Sequence, residues 1–223
     1  MKAQAIIFDC DGVLIDSERI YVTLEREMLA AIGLHYEHEA FVRRFVGTSN
    51  ADFRRALAAD YAALGKGPWP VGFWDRHHNE VWRRFRKDLS ALPGAEAFLR
   101  SIDRPRAVAS SSTIDELDRK LAFTELTAHF DGHVYSAELV DNGKPAPDLF
   151  LFAADRLKTP PEKCVVVEDS VNGVRSGAAA GMNVWGFVGG GHATPGLAAQ
   201  LQDAGASAVF DTYSDIQAAW AQR

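Results

Sequence analysis

Two aspartates, Asp9 and Asp11, directly follow an apolar run at residues 5–8 and precede Gly12. Such a run, ended by a turn residue, predicts a buried strand of a parallel sheet, and ligand crevices lie beyond the carboxyl ends of such strands. Strand alternation would point both carboxylates one way and Cys10 the other. One carboxylate could attack as a nucleophile beside a metal while the other transfers a proton. A surface turn is the alternative, since Asp and Gly are common turn residues.

Two further polar positions follow predicted strands or their loops. Ser110 comes after Arg-Ala-Val-Ala at residues 106–109, so that its hydroxyl and the next backbone N–H groups would open a helix N-terminus, which suits phosphate. A plain N-cap serine is the alternative. Lys144 is followed by Pro145 and Pro147, which stiffen the backbone around it, and a surface lysine is the alternative there.

Glu168 and Asp169 end the most apolar predicted strand, at residues 164–167. A charged pair at that position is hard to explain as ordinary solvent-exposed residues, because the strand before it should be central in the sheet. Mg²⁺ takes carboxylate and carbonyl oxygens, so Asp9, Asp169 and a backbone carbonyl near Asp11 would suit it. Together the clusters predict phosphoryl transfer, in which a metal and a lysine neutralise phosphate oxygens while a carboxylate attacks phosphorus.

The composition is that of a globular protein with one or two domains: 223 residues, 47% hydrophobic and 24% charged. The net charge of −6 argues against nucleic acid as a partner. No apolar stretch reaches the roughly 18 residues of a membrane span. The first residues lead straight into a strand, which predicts no signal peptide. Cys10 and Cys164 cannot form a disulfide framework, so we expect packing roles for both and a cytoplasmic location.

The polar clusters require a fold that brings strand ends together. Helical spacing dominates residues 17–89, and an alternation of strands and helices runs from there to residue 223. We therefore predict an α/β protein: a Rossmann-like parallel sheet with helices on both faces, formed by 1–16 and 90–223, and an inserted α-helical module at 17–89. The predicted strands are 5–8, 106–109, 133–136, 164–167, 183–188 and 208–210. The predicted helices are about 21–32, 38–45, 50–61, 73–85, 96–101, 113–122, 147–157 and 171–180, with a capping box at Thr113 and Glu116.

At this point the sequence resembles the haloacid dehalogenase-like superfamily, in its phosphatase and phosphomutase branch with a helical cap. The matching motifs are Asp9-Cys10-Asp11-Gly12-Val13, Ser110, Lys144 in Gly-Lys-Pro-Ala-Pro-Asp, and Glu168-Asp169-Ser170. The resemblance covers nearly the whole chain, with residues 17–89 as the cap. It implies that Asp9 is the nucleophile and forms an aspartyl-phosphate, and that Asp11 is the acid and base.

The resemblance also implies the ligands. Ser110 and Lys144 would hold the phosphoryl group. Mg²⁺ would be bound by Asp9, the backbone carbonyl of Asp11 and Asp169, with Glu168 as a direct or water-mediated ligand. The substrate would be a small phosphorylated metabolite, and proteins of this branch are often monomeric. No nucleic acid or membrane partner is expected.

The second carboxylate, Asp11, favours phosphoryl transfer over carbon–halogen cleavage. We therefore predict a Mg²⁺-dependent phosphatase, with a sugar phosphate as the expected substrate class. A β-phosphoglucomutase-like mutase is the alternative, but Asn50 stands where such enzymes carry a phosphate-gripping arginine, unless Arg43 or Arg54 substitutes for it. A non-enzymatic receiver module is the third possibility, although receivers are about half this length and carry no inserted cap.

Substrate contacts outside the four motifs are expected from the cap and from the loop after Ser110. The candidates are Gly47, Asn50, Ser111, His77 and Arg83. The aromatic residues Trp74, Trp82 and Phe85 are expected to form the core of the cap.

Overall fold

The computed structural model describes residues 2–46, 50–191 and 193–223, with the side chain of Asn50 left out. The chain divides into two compact units, a sheet unit of Met1–Ser17 and Leu89–Arg223 and a helical unit of Glu18–Asp88. Each boundary lies one residue from the division expected from the sequence, 16/17 and 89/90.

Four helices build the helical unit: α1 (Ser17–Ala31, which begins in the last residue of the sheet unit), α2 (His38–Phe45), α3 (Asn50–Ala63) and α4 (Phe73–Asp88). They enclose an apolar core of their own. In this core the ring centroids of Phe41, Phe45 and Phe53 lie 4.9–6.2 Å apart. Apolar residues at helical spacing in each segment explain this packing.

Six parallel strands form the sheet, in the order β3-β2-β1-β4-β5-β6. Their bounds are β1 Ala5–Phe8, β2 Arg106–Ser110, β3 Val134–Ser136, β4 Cys164–Glu168, β5 Asn183–Phe187 and β6 Ala208–Phe210. The first strand lies in the middle, where Ile7 pairs with Ala107 on one side and Val166 on the other. Strands buried on both faces explain why their sequences are nearly continuous apolar runs.

Helices cover both faces of this sheet. Their bounds are α5 Ala95–Ser101, α6 Ile114–Phe123, α7 Asp148–Arg156, α8 Val171–Ala179, α9 Leu197–Asp203 and α10 Tyr213–Trp220. On one face Ile7 shares a core with Leu149 of α7 and Leu201 of α9. On the other, Phe8 packs edge-on against Phe98 of α5. The predicted fold class, a Rossmann-like α/β sheet with helices on both faces, is therefore confirmed.

Several local predictions need correction. The first strand ends at Phe8, so Asp9 and Asp11 lie in the turn beyond it and strand alternation does not set their directions. Ser110 is the last residue of β2 and neither caps nor opens a helix, because α6 begins at Ile114. The sequence interpretation missed α9 and α10. Pro147 precedes α7 instead of lying in its first turn.

The capping box predicted at the start of α6 is confirmed. The Thr113 hydroxyl accepts a hydrogen bond from the Glu116 N–H, and the Glu116 carboxylate accepts one from the Thr113 N–H. In the part of the chain that the structure describes, no helix combines the length and the apolar character that crossing a membrane requires.

Candidate active site

The turn after β1 places the first two candidate residues at the carboxyl end of the sheet. The Asp9 N–H donates to the Val167 carbonyl at 3.0 Å, which ties the start of the turn to the end of β4. Gly12 has φ +76°, a left-handed conformation that favours glycine, and its N–H donates to the Ile15 carbonyl. Cys10 is fully buried, in agreement with a packing role.

Lys144 connects the ends of three strands. Its ammonium donates to Asp9 Oδ1 at 2.5 Å after β1, to the Ala109 carbonyl at 2.9 Å on β2, and to Glu168 Oε1 at 2.6 Å on β4. The three contacts use the three donors that a lysine has. Its side chain is only 4% exposed, so the surface-lysine alternative is wrong.

Glu168 is held from both sides. Its second oxygen, Oε2, accepts hydrogen bonds from the Ser170 N–H and the Ser170 hydroxyl, each at 2.9 Å. The Ser170 oxygen in turn accepts from the Gly173 N–H at the start of α8. A Cβ on Gly173 would lie 1.7 Å from Glu168 Oε1, so the carboxylate occupies space that only a glycine leaves open. This arrangement suits a residue that orients Lys144.

Asp11 has a separate set of partners. Lys120 donates to Asp11 Oδ1 at 2.8 Å and to Oδ2 at 2.9 Å, the Ser17 hydroxyl donates to Oδ1 at 2.5 Å, and the Ser112 hydroxyl donates to Oδ2 at 2.9 Å. Burial opposes the charge of Asp11, but the Lys120 charge and these hydrogen bonds outweigh it and lower the pKa of the carboxyl group. Asp9 and Asp11 therefore have different lysine partners.

Lys120 was not among the residues predicted from the sequence. The signal that could have found it is a lysine in an apolar stripe, because Leu117, Lys120 and Leu121 lie three and four residues apart on one face of α6 and all are buried. A buried lysine needs a carboxylate partner, and Asp11 is that partner.

The serines after β2 lie at the same edge of the sheet. Ser110 is 2% exposed, and its hydroxyl oxygen accepts a hydrogen bond from the Ser112 N–H at 3.1 Å. Ser136 on the neighbouring strand donates to the Ser112 carbonyl at 2.7 Å, which fixes this loop. Ser111 is exposed. The loop therefore combines a buried hydroxyl with an exposed one beside the ends of the central strands.

The charges around Asp9 change one another's pKa values at this buried edge. Burial, together with Glu168 and Asp169, raises the pKa of Asp9 well above its ordinary value, although the Lys144 charge acts in the opposite direction. Burial likewise opposes the charge on Lys144, but Asp9 and Glu168 outweigh it and the pKa of Lys144 is raised. A further cation beside Asp9 would therefore favour the ionised form of this carboxyl group.

The donor set fits a hard divalent cation. Within the described ranges, no three His, Cys, Asp or Glu side chains are grouped so as to hold a metal on their own. Mg²⁺ does not require such a group, since one or two carboxylates with water and substrate phosphate suffice. Asp9 and Asp169 are each 8% exposed, and together with Asp11 and Glu168 they bring four carboxylates to the edge that also holds Lys120 and Lys144.

The candidates of the helical unit have partners inside that unit. His77 Nε2 lies 3.2 Å from Glu25 Oε1 without hydrogen-bond geometry, and Arg83 binds both oxygens of Glu80. Of the predicted core aromatics, Trp82 and Phe85 are buried, and Trp74 packs against the core. Gly47 and the side chain of Asn50 lie outside the described residues.

Comparison with known proteins places this arrangement in a family. A model of the haloacid dehalogenase-like hydrolase family matches residues 3–181. The chain belongs to this family. It is 31% identical over 200 residues to the 6-phosphogluconate phosphatase of Escherichia coli K12, which covers 87% of this chain and 86% of that protein. It is 34% identical over 189 residues to the phosphorylated carbohydrates phosphatase of Thermotoga maritima, covering 83% and 85%.

A solved structure has a similar fold. The HAD family hydrolase of Deinococcus radiodurans R1, crystallised with bound phosphate and sodium, superimposes with a TM-score of 0.87 at 34% identity. The match covers 99% of this chain and 96% of that chain. Within its family, this chain therefore falls in the branch that contains named phosphatases.

Proposed function

We propose that this protein is a Mg²⁺-dependent phosphatase that hydrolyses a small phosphorylated metabolite, with sugar phosphates as the substrate class. The observation that carries the proposal is the Lys144 ammonium, bound between Asp9 and Glu168 and to the end of β2. An ammonium beside a nucleophilic carboxylate neutralises the anion that this carboxylate must attack.

In the first half of the reaction, an Asp9 carboxylate oxygen attacks the phosphorus and the bond between phosphorus and the leaving oxygen breaks. This forms an aspartyl-phosphate on Asp9. Because its pKa is lowered, Asp11 is protonated only as a minor form, and this strongly acidic form gives its proton to the leaving oxygen, so that an alcohol departs instead of an alkoxide. Lys144, the Ser110 hydroxyl and the N–H groups after β2 hold the phosphoryl oxygens.

In the second half, Asp11 removes a proton from water as the water oxygen attacks the same phosphorus. The bond between phosphorus and the Asp9 oxygen breaks, inorganic phosphate leaves, and Asp9 is again a carboxylate. Asp11 regains the proton that it lost in the first half, so the net reaction is hydrolysis of a phosphate monoester.

For the metal, we assign the carboxylates of Asp9 and Asp169 and the backbone carbonyl of Asp11 as ligands. Both oxygens of Glu168 accept hydrogen bonds, so its role is through water or through Lys144. When bound, Mg²⁺ supplies Lewis-acid neutralisation of the phosphoryl oxygens.

The substrate class follows from the relatives. Two phosphatases with over 30% identity to this chain act, by name, on 6-phosphogluconate and on phosphorylated carbohydrates. We assign the helical unit as the cap that selects the substrate, with Gly47, Asn50 and Ser111 as candidate contacts. Action as a monomer in the cytoplasm, without nucleic acid or membrane partners, remains a prediction.

Removal of the nucleophile tests the proposal. Wild-type protein with Mg²⁺ should release phosphate from members of a panel of sugar phosphates that includes 6-phosphogluconate, and chelation of the metal should stop the release. Asp9→Asn should lower turnover by at least about a thousandfold, because a carboxamide is a poor nucleophile. Asp155→Asn removes a carboxylate that is 74% exposed and should leave the rate unchanged. Undiminished turnover by Asp9→Asn would refute the mechanism.

The same preparation decides between hydrolase and mutase. In a coupled assay primed with a sugar bisphosphate, the proposed phosphatase yields only free phosphate. Conversion of one phosphosugar isomer into another would instead establish mutase activity.

A further inference from the structure

A second lysine, Lys120, lies at the edge of the candidate site. Its side chain is 2% exposed, and its ammonium donates to both oxygens of Asp11 and, at 3.0 Å, to the Ser112 hydroxyl. It belongs to none of the four motifs that place Asp9, Ser110 and Lys144.

The burial of Lys120 needs an explanation. Transfer of an ammonium group from water into a protein interior is unfavourable unless a carboxylate and hydrogen bonds compensate for it. An apolar side chain at this position would pack beside Leu117 and Leu121 without that penalty. The interaction with the Asp11 carboxylate is therefore the reason for a lysine at this position.

The position of Asp11 shows what that benefit is. Asp11 lies in the turn beyond β1, where no regular strand fixes its side chain. Donors from three separate segments act on it instead: Ser17 at the start of α1, Ser112 after β2, and Lys120 on α6. Of these three donors, Lys120 alone contacts both carboxylate oxygens, and it also donates to the Ser112 hydroxyl, so it restrains the carboxylate at both oxygens.

We propose that Lys120 is a positioning residue that holds the Asp11 carboxyl group in place for proton transfer to the leaving-group oxygen. The inference rests on the proposed phosphatase function. Lys120 acts through Asp11 and is not assigned a contact with the substrate.

The test compares two leaving groups. An alkyl phosphate needs a proton on its leaving oxygen, whereas p-nitrophenolate is stable enough to leave without one. A general acid contributes about 10²–10⁴-fold, so misplacing it should lower kcat/KM for the best alkyl phosphate by at least about tenfold. The kcat/KM for p-nitrophenyl phosphate should fall by less than about threefold, because the departure of p-nitrophenolate needs little proton transfer from Asp11.

The variants are Lys120→Met, which keeps the length of the apolar stem, and Lys120→Gln, which keeps a hydrogen-bond donor without the charge. The ratio of the two kcat/KM values is the readout. A partly unfolded preparation lowers both values by the same factor and leaves the ratio unchanged, so a general loss of structure cannot imitate the effect. Arg119→Met removes a positive charge from the neighbouring position of α6 and should not alter the ratio.

A ratio that shifts by at least about threefold in both Lys120 variants, with Arg119→Met like the wild type, supports the proposal. A ratio that shifts by less than about threefold in either Lys120 variant overturns it. Absence of phosphatase activity in the wild-type protein would instead overturn the proposed function, and the role of Lys120 with it.

Discussion

At the residue scale, the candidate site depends on a carboxylate that fits only because a glycine faces it. Glu168 is 1% exposed, and its side chain fills the space beside Gly173, where a Cβ would overlap its carboxylate. The same carboxylate accepts a hydrogen bond from Lys144, which in turn holds Asp9. A methyl group added at Gly173 therefore acts on Asp9, the proposed nucleophile, through two side chains.

We predict that Gly173→Ala lowers phosphatase kcat by about tenfold or more. This factor corresponds roughly to the free energy of one hydrogen bond to a charged group. Alanine is the better helix former by about 1 kcal/mol, so helix propensity alone would predict a harmless or stabilising change. Steady-state kinetics with the best sugar phosphate check this. The exposed neighbour Asn172→Ala is the matched control and should behave as the wild type. Wild-type kcat in Gly173→Ala would contradict the prediction.

Lys144 also contributes to stability. We predict that Lys144→Met lowers the free energy of unfolding by about 3–5 kcal/mol, because it leaves Asp9 and Glu168 buried without their shared cation. Urea denaturation without added divalent cation measures this. The double variant Lys144→Met/Glu168→Gln removes one of the unpaired charges and should recover part of the loss. If Lys144→Met were as stable as the wild type, the ion pairs of Lys144 would make no net contribution to the free energy of unfolding.

The sequence could predict candidate residues at the ends of strands and in the proline-flanked loop of Lys144, but it did not reveal Lys120, which lies within a helix. Asp9, Ser110 and Glu168 stand at the ends of apolar runs, and parallel strands bring such ends together at one edge. Lys120 lies within a helix, at a position that the neighbouring sequence marks only as inward-facing. Its pairing with Asp11 depends on the rotation of α6 against the sheet, which local sequence does not determine.

At the element scale, helix α6 places Lys120 beside Asp11. Side-chain hydrogen bonds stabilise the first turn of this helix. The Thr113–Glu116 capping box satisfies N–H groups that the helix itself leaves unpaired. The Ile114 N–H donates to the Glu138 carboxylate at 2.9 Å. These contacts set where the helix begins and therefore which residues face inward.

We predict that Thr113→Ala destabilises the protein by about 1 kcal/mol, the usual cost of losing an N-cap side chain. Thr113→Ser keeps the hydroxyl and should lose much less. Chemical denaturation of the two variants in parallel with the wild type gives the comparison. Equal stabilities for the alanine and serine variants would mean that the hydroxyl is not what holds the first turn.

In the helical unit, an ionic cluster joins α2 and α3 and should make stability depend on pH. The Asp60 carboxylate accepts hydrogen bonds from Arg44 and from the Tyr36 hydroxyl, and the Arg44 contact is the main cause of its lowered pKa. A group with a pKa depressed on folding stabilises the protein above its unfolded pKa of about 3.9 and loses this contribution as the pH falls through the folded value.

The measurement is the difference in unfolding free energy between the wild type and Asp60→Asn. It should favour the wild type at pH 7, begin to shrink below about pH 4, and continue to shrink at lower pH. A difference that does not change with pH would place the stabilisation outside this ion pair.

Elements were predictable where an apolar pattern ran for several residues between turn signals. The six strands and the first eight helices meet that condition, although their ends differ from the prediction by a few residues. The α9 helix has only seven residues and one buried position, Leu201, so its pattern is weak. The α10 helix did carry a readable pattern, with Tyr213, Ile216 and Trp220 buried on one face.

At the scale of the whole molecule, the two units have separate apolar cores. Leu57 of α3 lies in the core of the helical unit, and Val166 of β4 lies in the core of the sheet unit; both are fully buried. Among the described residues, the buried members of each of these two cores belong to a single unit, so a cavity in one core should mainly loosen its own unit.

We predict that Leu57→Ala removes about 2–5 kcal/mol of stability through the cavity it leaves. Native-state hydrogen exchange should then show faster exchange for amides of α1–α4, with little change in β1 and β4. Val166→Ala is the counterpart and should accelerate exchange in the sheet. If Leu57→Ala accelerated exchange equally throughout the chain, the two units would be unfolding as one.

The order of the strands has a consequence for how the protein is made. Of the six strands of this sheet, β1 comes earliest in the chain and lies in the middle, between β2 and the much later β4. A growing chain on the ribosome therefore carries an apolar strand with at least one bare edge until residues 164–168 have emerged, and bare edges invite aggregation. We expect this nascent chain to depend on chaperones until β4 closes that edge.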